Sequence, residues 1–328
     1  MKKMFVFGFI FVMAFMLVSN PYTSQFISNQ KGDLLAVSKP KDALYQEIVS
    51  ESEKYRVPAQ DAKIDPIWKA IPGYNGLEVD TEASYKRMRE NGEFDEDKLI
   101  LKQIKPNVHL KELPPAPIYK GHPDKPMVSF IINVAWGNEY LSDMLATLKK
   151  HHVTATFFLE GRWVQKNPEL AKMITDAGHE VGNHSFTHPD LKMSSAAKIR
   201  QEITKTNEVI KATTGISPVW FAPPSGSYRD EVVTIAAEEK MGTIMWSVDT
   251  IDWQKPSPDV LVNRVMSKVH NGAIILMHPT SSTAQSLDRL ITSIKEKNLQ
   301  INTISELFQE ERLPKTLPRE KIKDNDKN

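Results

Sequence analysis

The sequence predicts an α/β fold in which parallel strands are flanked by helices, and its length and composition limit what else the chain can contain. From Met127 onward, short apolar runs typical of strands alternate with longer runs of helical periodicity. The chain has 328 residues, of which 40% are hydrophobic, enough for one large domain and a smaller one. It contains no cysteine, so disulfides and thiolate metal sites are excluded. The alternation alone is compatible with either a barrel or an open sheet.

The first 20 residues have the pattern of an export signal. Lys2 and Lys3 precede an unbroken apolar run over residues 4–18, the order of a basic n-region and an apolar h-region. This run is shorter than the roughly 20 residues that span a bilayer, and Ser19-Asn20-Pro21 is a poor cleavage site. We therefore predict an exported protein, either secreted or anchored at the extracellular face of the membrane or in the cell wall.

Composition divides the stretch before the alternating region into a spacer over 21–61, a small α/β module over 62–113 and a Pro-rich linker over 114–126. One helix is predicted over 41–55, and a turn at 73–76 precedes a short strand in the module. Asp80 or Thr81 is expected to cap a helix over 81–91. The module contains no motif that indicates chemistry, and we interpret it as a docking or spacing unit.

The alternating region covers 127–309, and a charged tail over 310–328 is predicted to be disordered. Its predicted strands are 128–134, 155–159, 179–181, 219–222, 244–248, 273–277 and 301–304. Its predicted helices are 139–149, 169–176, 194–213, 229–239, 258–269 and 284–298. Strands that alternate with helices in this way are expected to lie parallel in one sheet.

Two histidines four residues apart follow one of these strands. His184 and His188 lie in the run G-H-E-V-G-N-H-S-F-T-H-P over residues 178–189. Neutral imidazole is the commonest protein ligand for zinc, and a catalytic zinc site usually has three protein ligands. The pair is therefore an incomplete metal site, and the pattern alone is also compatible with two surface loop residues.

This run resembles the second motif of the polysaccharide deacetylases, also called NodB-homology proteins or family-four carbohydrate esterases. The resemblance covers about residues 127–309, and it implies a distorted, incomplete (β/α) barrel preceded here by the small α/β module. It also implies that His184 and His188 hold a divalent metal, zinc above all, together with an aspartate. In the family this metal activates water against an N-acetyl group of a GlcNAc polymer.

Two further motifs imply a general acid and its orienting group. The run I-I-L-M-H ending at His278 resembles the family's L-x-H, so His278 would protonate the departing amine and Leu276 would line the acetyl pocket. The run W-S-V-D-T-I-D-W ending at Trp253 resembles D-x-x-D-W, so Asp252 would orient His278 and Trp253 would form a groove wall. Asp249 in the same run is equally compatible with a turn residue after a strand.

The third motif is the first departure from the family. The run F-A-P-P-S-G-S-Y over 221–228 resembles F-R-P-P-x-G, with Ala222 in place of the arginine. The loop is kept while its fixed positive charge is lost. Pro224, Gly226 and Tyr228 are predicted to shape the substrate groove.

The first motif departs further. The run F-I-I-N-V-A-W-G-N-E-Y over 130–140 resembles the region around T-F-D-D-G, and it aligns without a gap. Asn133 then stands in place of the catalytic base, and Val134 stands in place of the aspartate that binds the metal. An amide has no useful basicity at neutral pH, and an isopropyl group cannot coordinate a cation. We therefore predict that zinc binds weakly, and we expect both side chains to face the cleft.

Two hypotheses about function follow. The first is a silent or weakly active relative that binds a GlcNAc-containing polysaccharide of the cell envelope, peptidoglycan or a chitin-like polymer. The substitutions favour it, because general base catalysis is typically worth roughly 10²–10⁴-fold in rate. The alternative is an active metal-dependent N-deacetylase that hydrolyses the acetamide C–N bond with a substitute carboxylate, Asp190 or Glu139. The formal net charge of +1 gives no signature of a nucleic-acid partner.

Overall fold

The computed structural model describes residues 43–313. The predicted export signal, most of the spacer and residues 314–328 lie outside the described residues. Within residues 43–313, none of the helices combines the length and the apolar composition that a bilayer crossing requires. These residues form two compact units, one of 43–56 with 79–102, and one of 57–78 with 103–313.

The helices and strands of both units are numbered along the chain. The α-helices are α1 (Ala43–Ser52), α2 (Thr81–Met88), α3 (Asn138–Lys150), α4 (Gly161–Lys166), α5 (Pro168–Asp176), α6 (Ala196–Thr214), α7 (Asp230–Glu238), α8 (Pro258–Met266), α9 (Ser281–Glu296) and α10 (Ile304–Phe308). The strands are β1 (Lys63–Asp65), β2 (Lys69–Ile71), β3 (Gly76–Val79), β4 (Leu101–Ile104), β5 (Met127–Val134), β6 (Thr156–Leu159), β7 (Glu180–Asn183), β8 (Trp220–Phe221), β9 (Gly242–Thr243), β10 (Val248–Asp249), β11 (Ile274–Met277) and β12 (Gln300–Ile301).

The smaller unit is built on two helices. Leu44 and Ile48 of α1 pack in one buried cluster with Met88 of α2. The predicted cap of α2 is confirmed, because the Asp80 side chain accepts a hydrogen bond from the backbone N–H of Ala83 at 3.0 Å. Helix α2 ends at Met88, before the predicted end at residue 91.

The larger unit contains the predicted parallel sheet. Its strand order is β10-β11-β5-β6-β7-β8-β9, and neighbouring strands in it run parallel. Strand β12 pairs, also in parallel, with the start of β5. Ile118 continues the edge beyond β9 by a parallel bridge with Ile244. The sheet curls into a half-barrel with helices, so the predicted incomplete (β/α) barrel is confirmed.

Side chains alternate between the two faces of this curled sheet. On β5, residues Phe130, Ile132 and Val134 pack in the cluster that includes the helices outside the sheet. Ile131 packs in a second cluster with Phe158 and other inward residues. All residues of β5 are buried, as expected for a strand covered on both faces.

The other predicted strands and helices of this unit are confirmed with small shifts at their ends. Two local predictions are wrong, and one helix was missed. In place of the predicted strand over 244–248 there are two short strands, β9 just before that stretch and β10 beginning at its last residue. Helix α4 was not predicted, because its six residues are too few to show a helical period. Ile304 begins α10 rather than ending a strand, because Thr303 and Glu306 form a capping box.

Residues 310–313 of the predicted tail contact the larger unit. The Glu310 carboxylate lies 2.8 Å from Nδ1 of His109, and Nε of Arg312 donates to the carbonyl oxygen of Asn75 at 2.5 Å. The division into two compact units does not show which stretch is a spacer, a module or a linker. The predicted segment boundaries therefore stay predictions.

Glu202 of α6 fixes the loop that follows β7. Its carboxylate accepts hydrogen bonds from the backbone N–H groups of Phe186 and Thr187 at 2.8 and 2.6 Å, and from the Thr187 hydroxyl at 2.8 Å. Lys198, one turn earlier, lies 2.7 Å from the same carboxylate. Burial alone raises the pKa of Glu202, but the hydrogen bonds from Lys198 and Thr187 bring it below its ordinary value.

We predict that Gly182→Ala destabilises the barrel by about 1–3 kcal/mol, because overpacking a filled interior forces neighbouring atoms apart. A Cβ at Gly182 would lie 2.5 Å from Cδ1 of Phe158. Urea unfolding measures the change, and Phe158→Leu provides the matched background. The penalty should shrink once the ring is gone. An equal penalty in both backgrounds would show that Phe158 is not the obstacle.

We predict that Glu202→Gln lowers the free energy of unfolding at pH 7 by about 1.5–3 kcal/mol, the range for hydrogen bonds to charged groups. Because the folded-state pKa of Glu202 is lowered, its contribution is present above the ordinary pKa and is lost as the pH falls through the folded-state value. Urea unfolding of both proteins between pH 7 and pH 3 should therefore show converging stabilities. A difference that does not change with pH contradicts this role.

Candidate active site

The predicted site residues lie at the carboxyl ends of neighbouring parallel strands. Asn133 is the penultimate residue of β5, His184 directly follows β7, and His278 directly follows β11. Asp252 follows β10 by three residues. This edge is where barrels of alternating strands and helices carry their chemistry.

His184 is held as a neutral imidazole. Its Nδ1 lies 2.8 Å from the carbonyl oxygen of Ala222, so Nδ1 carries the proton and Nε2 keeps a free lone pair. Burial, together with the nearby ring of His188, lowers the pKa of His184 to about 3. Ala222 stands where the resemblance implies an arginine, and its backbone carbonyl orients the histidine.

His188 lies beside His184. The two rings are 5.1 Å apart between centroids and meet edge to face at 71°. Burial lowers the pKa of His188, and the proximity of His278 lowers it further. His278 also lowers the pKa of His184. The three imidazoles are therefore close enough to interact, and the predicted pair is neutral near pH 7.

The predicted acid and its orienting carboxylate are in contact. Asp252 is fully buried, and its Oδ1 lies 2.8 Å from Nδ1 of His278. Its Oδ2 accepts hydrogen bonds from the backbone N–H of His278 and from the hydroxyl of Thr283, both at 2.6 Å. This network fixes the ring orientation and leaves Nε2 of His278 as the nitrogen available to a substrate.

The residues present do not complete a metal site. Within residues 43–313, no group of three or more His, Asp and Glu side chains is arranged to hold a metal ion. Asp190 caps its own turn through the N–H of Lys192 and binds the hydroxyl of Ser227. Glu139 is exposed in the first turn of α3. Neither substitute carboxylate therefore joins His184 and His188.

The two substituted positions of the first motif face opposite sides of β5. Asn133 is buried in the inward register opposite Phe158, and its Oδ1 has no hydrogen-bond partner in the described part of the chain. The expectation that Val134 faces the cleft is wrong. Val134 packs in the outer cluster with Leu159, because neighbouring residues of a strand point to opposite faces.

The remaining predicted substrate residues surround this edge. Pro224 and Gly226 lie in a short 3-10 turn after β8, and the hydroxyl of Tyr228 lies 2.8 Å from that of Tyr119. Leu276 is buried in the inward cluster, whereas Trp253 is 57% exposed. Their roles in substrate binding stay predictions.

Trp136 and Thr283 are residues of the site that sequence reasoning missed. Trp136 stacks on His278 with centroids 5.9 Å apart and planes 8° apart, and it is 48% exposed. Trp136 was visible within the first motif as an aromatic residue just beyond a strand end. Thr283 carried no signal, because a threonine in the first turn of a helix is common.

Comparisons with known proteins agree with this geometry. A family model for polysaccharide deacetylase matches residues 120–244. The uncharacterized protein YlxY of Bacillus subtilis (strain 168) is 56% identical over 310 residues, covering 94% of this chain and 97% of that protein. The peptidoglycan-N-acetylmuramic acid deacetylase PdaA of the same organism is 33% identical over 203 residues, covering 60% and 77%.

Solved structures give the same result. BA3943, a CE4 family pseudoenzyme from Bacillus anthracis, is 57% identical with a TM-score of 0.77, covering 83% of this chain and 97% of that chain. A BA3943 mutant, a CE4 family pseudoenzyme with restored enzymatic activity, is also 57% identical and has a TM-score of 0.78. The match covers 83% of this chain and 100% of that chain. This chain therefore belongs to the polysaccharide deacetylase family, the family-four carbohydrate esterases.

Proposed function

We propose that this chain is an exported member of the family that binds a GlcNAc-containing polysaccharide of the cell envelope and is catalytically silent or only weakly active. One observation carries the proposal. The acid half of the site is intact in Asp252 and His278, whereas the position of the base holds the amide of Asn133.

The chemistry of N-deacetylation explains why this combination is silent. The reaction needs a hydroxide equivalent at the acetyl carbon and a proton for the departing amine. His278, fixed by Asp252, is arranged to hold that proton at Nε2. The side chain of Asn133 cannot take a proton from water, because an amide is not basic at neutral pH. The residues present thus support binding and only one of two proton transfers.

The relatives support both parts of the proposal. BA3943, which aligns over nearly its whole length, is a pseudoenzyme. PdaA is a deacetylase of peptidoglycan, which favours peptidoglycan as the glycan bound here. The exposed rings of Trp136 and Trp253 beside the His278–Asp252 pair offer apolar faces with polar edges. Such surfaces suit the faces of sugar rings.

Residues 1–20 support export. The basic start and apolar run of this segment are the reason that we place the protein at the extracellular face of the membrane or in the cell wall, anchored or secreted.

An active N-deacetylase with a modified site is the second candidate. The observation in its favour is that His184, Asp252 and His278 all keep oriented side chains. A metal held by two imidazoles and water would then have to replace the missing carboxylate functions.

We predict that the chain lacking residues 1–20 binds zinc too weakly to retain it through dialysis against a mild chelator, because two imidazoles lack a third protein ligand. We also expect no acetate release from GlcNAc oligomers above that of a His278→Ala control. Metal analysis and an acetate assay test both. Stoichiometric zinc after dialysis, or turnover at an ordinary enzymatic rate, would support the second candidate.

We predict that the double change Asn133→Asp with Val134→Asp raises zinc affinity and produces measurable acetate release, and that neither change alone is sufficient. Asn133→Asp would supply the base, and Val134→Asp would supply the metal ligand once the new side chain turns from the outer cluster towards His184, so the effects should be strongly non-additive. Acetate release and zinc titration give the result. A folded double variant that binds zinc but releases no acetate would show that the groove itself has diverged.

The outward position of Val134 adds a stability readout to this experiment. Val134→Asp buries a carboxylate in an apolar cluster, so we expect a loss of about 3–5 kcal/mol without metal. Zinc should recover part of this loss if the new side chain turns towards His184. Val134→Asn, which brings no charge, is the control and should gain nothing from zinc.

A further inference from the structure

A pocket opens beside the stacked ring of Trp136. It has a volume of about 540 Å³ and lies between the start of α3 and helix α4. Trp136 lines this pocket and also stacks on His278, so the same ring borders both the pocket and the candidate active site. Its remaining lining residues are Ala135, Gly137, Asn138, Glu139, Glu160, Arg162, Trp163, Lys166 and Asn167.

The floor of this pocket is fixed by hydrogen bonds. The Asn138 side chain accepts from Nε1 of Trp163 at 2.6 Å and donates to Oδ1 of Asn167 at 2.8 Å. Gly137, at φ +81°, packs so closely that a Cβ would lie 2.0 Å from the carbonyl oxygen of Pro279. The loop that carries Trp136 is thus held against the residue next to His278.

Two cations of the pocket are free to bind a ligand. Arg162 and Lys166 lie four residues apart on α4 and therefore share one face, and both are exposed. Within residues 43–313, neither side chain has a carboxylate partner within 4 Å, although both act on Glu160 from a longer distance. The Glu160 carboxylate is buried and already accepts the backbone N–H of Trp163 at 2.6 Å.

We infer that this pocket is a subsite for a carboxylate-bearing substituent of the bound glycan, with Arg162 and Lys166 as the residues that recognise it. The inference rests on the proposed glycan-binding function. A glycan that lies along Trp136 from His278 brings its next sugar to the pocket. A chitin-like chain presents only hydroxyl and acetamide groups there. A chain with muramic acid presents a lactyl carboxylate, or the carboxylates of an attached peptide, which Arg and Lys bind by charge-assisted hydrogen bonds.

Calorimetric titration of the chain without residues 1–20 tests the inference with three probes. They are chitotetraose, a GlcNAc–MurNAc tetrasaccharide with free lactyl carboxylates, and the same tetrasaccharide with its stem peptides. We expect the carboxylate-bearing glycans to bind about three- to thirty-fold more tightly than chitotetraose, as expected for one or two exposed ion pairs. The second and third probes distinguish the lactyl carboxylate from the peptide as the group recognised.

The variant Arg162→Gln with Lys166→Gln should abolish this preference and leave chitotetraose binding unchanged. Lys172→Gln, an exposed lysine on α5 outside the pocket, is the matched control and should keep the preference. Raising the salt concentration should reduce the preference in the unmodified protein only. Equal binding of all three probes, or a preference that survives the double variant, overturns the inference while glycan binding stands. No binding of any probe instead overturns the proposed function on which it rests.

Discussion

The central strand β5 constrains the whole site. It pairs with β12 over 127–128, with β11 over 129–132 and with β6 over 131–134, so its register cannot slip without breaking three ladders. The two-residue period of a strand then decides which side chains reach the cleft. Asn133 points inward and Val134 points into the outer core. The same constraint sets the cost of any carboxylate introduced at residue 134, because the surrounding cluster is apolar.

The losses at the first and third motifs are electrostatically consistent with each other. An isolated buried charge is expensive, and removing one member of a buried ion pair typically costs about 3–5 kcal/mol. Against the motifs that the resemblance implies, Asn133 and Val134 replace two carboxylates and Ala222 replaces an arginine. Asp252 is buried without such a loss, because His278 and Thr283 supply its hydrogen bonds. The effects of substitutions at Asn133, Val134 and Ala222 should therefore be measured in combination rather than one residue at a time.

Much of the fold and part of the site could be predicted from the sequence, for different physical reasons. Long periodic elements such as α6 and buried runs such as β5 carry their own pattern, so they were predicted to within a few residues. Helix α4 and the short strands β9 and β10 depend on tertiary pairing and leave almost no local pattern. The aligned motifs predicted the contact between His278 and Asp252. They could not predict to which face of the sheet the Val134 side chain points, because a motif fixes the position of a residue in the sequence and not the direction of its side chain.

The survival of oriented residues in this site does not require that they catalyse anything. His184 satisfies the buried carbonyl of Ala222, and Asp252 satisfies the N–H of His278 and the hydroxyl of Thr283. Removing either side chain would leave buried polar groups without partners, at a cost of about 1–3 kcal/mol each. Asn133 satisfies no buried group through its Oδ1, because that atom lacks a hydrogen-bond partner within residues 43–313. His184 and Asp252 thus make buried contacts that the fold uses, whereas Oδ1 of Asn133 makes none within residues 43–313. A chain without deacetylase activity would still need His184 and Asp252 for these contacts. Their presence therefore indicates a role in stability at least as much as a role in catalysis.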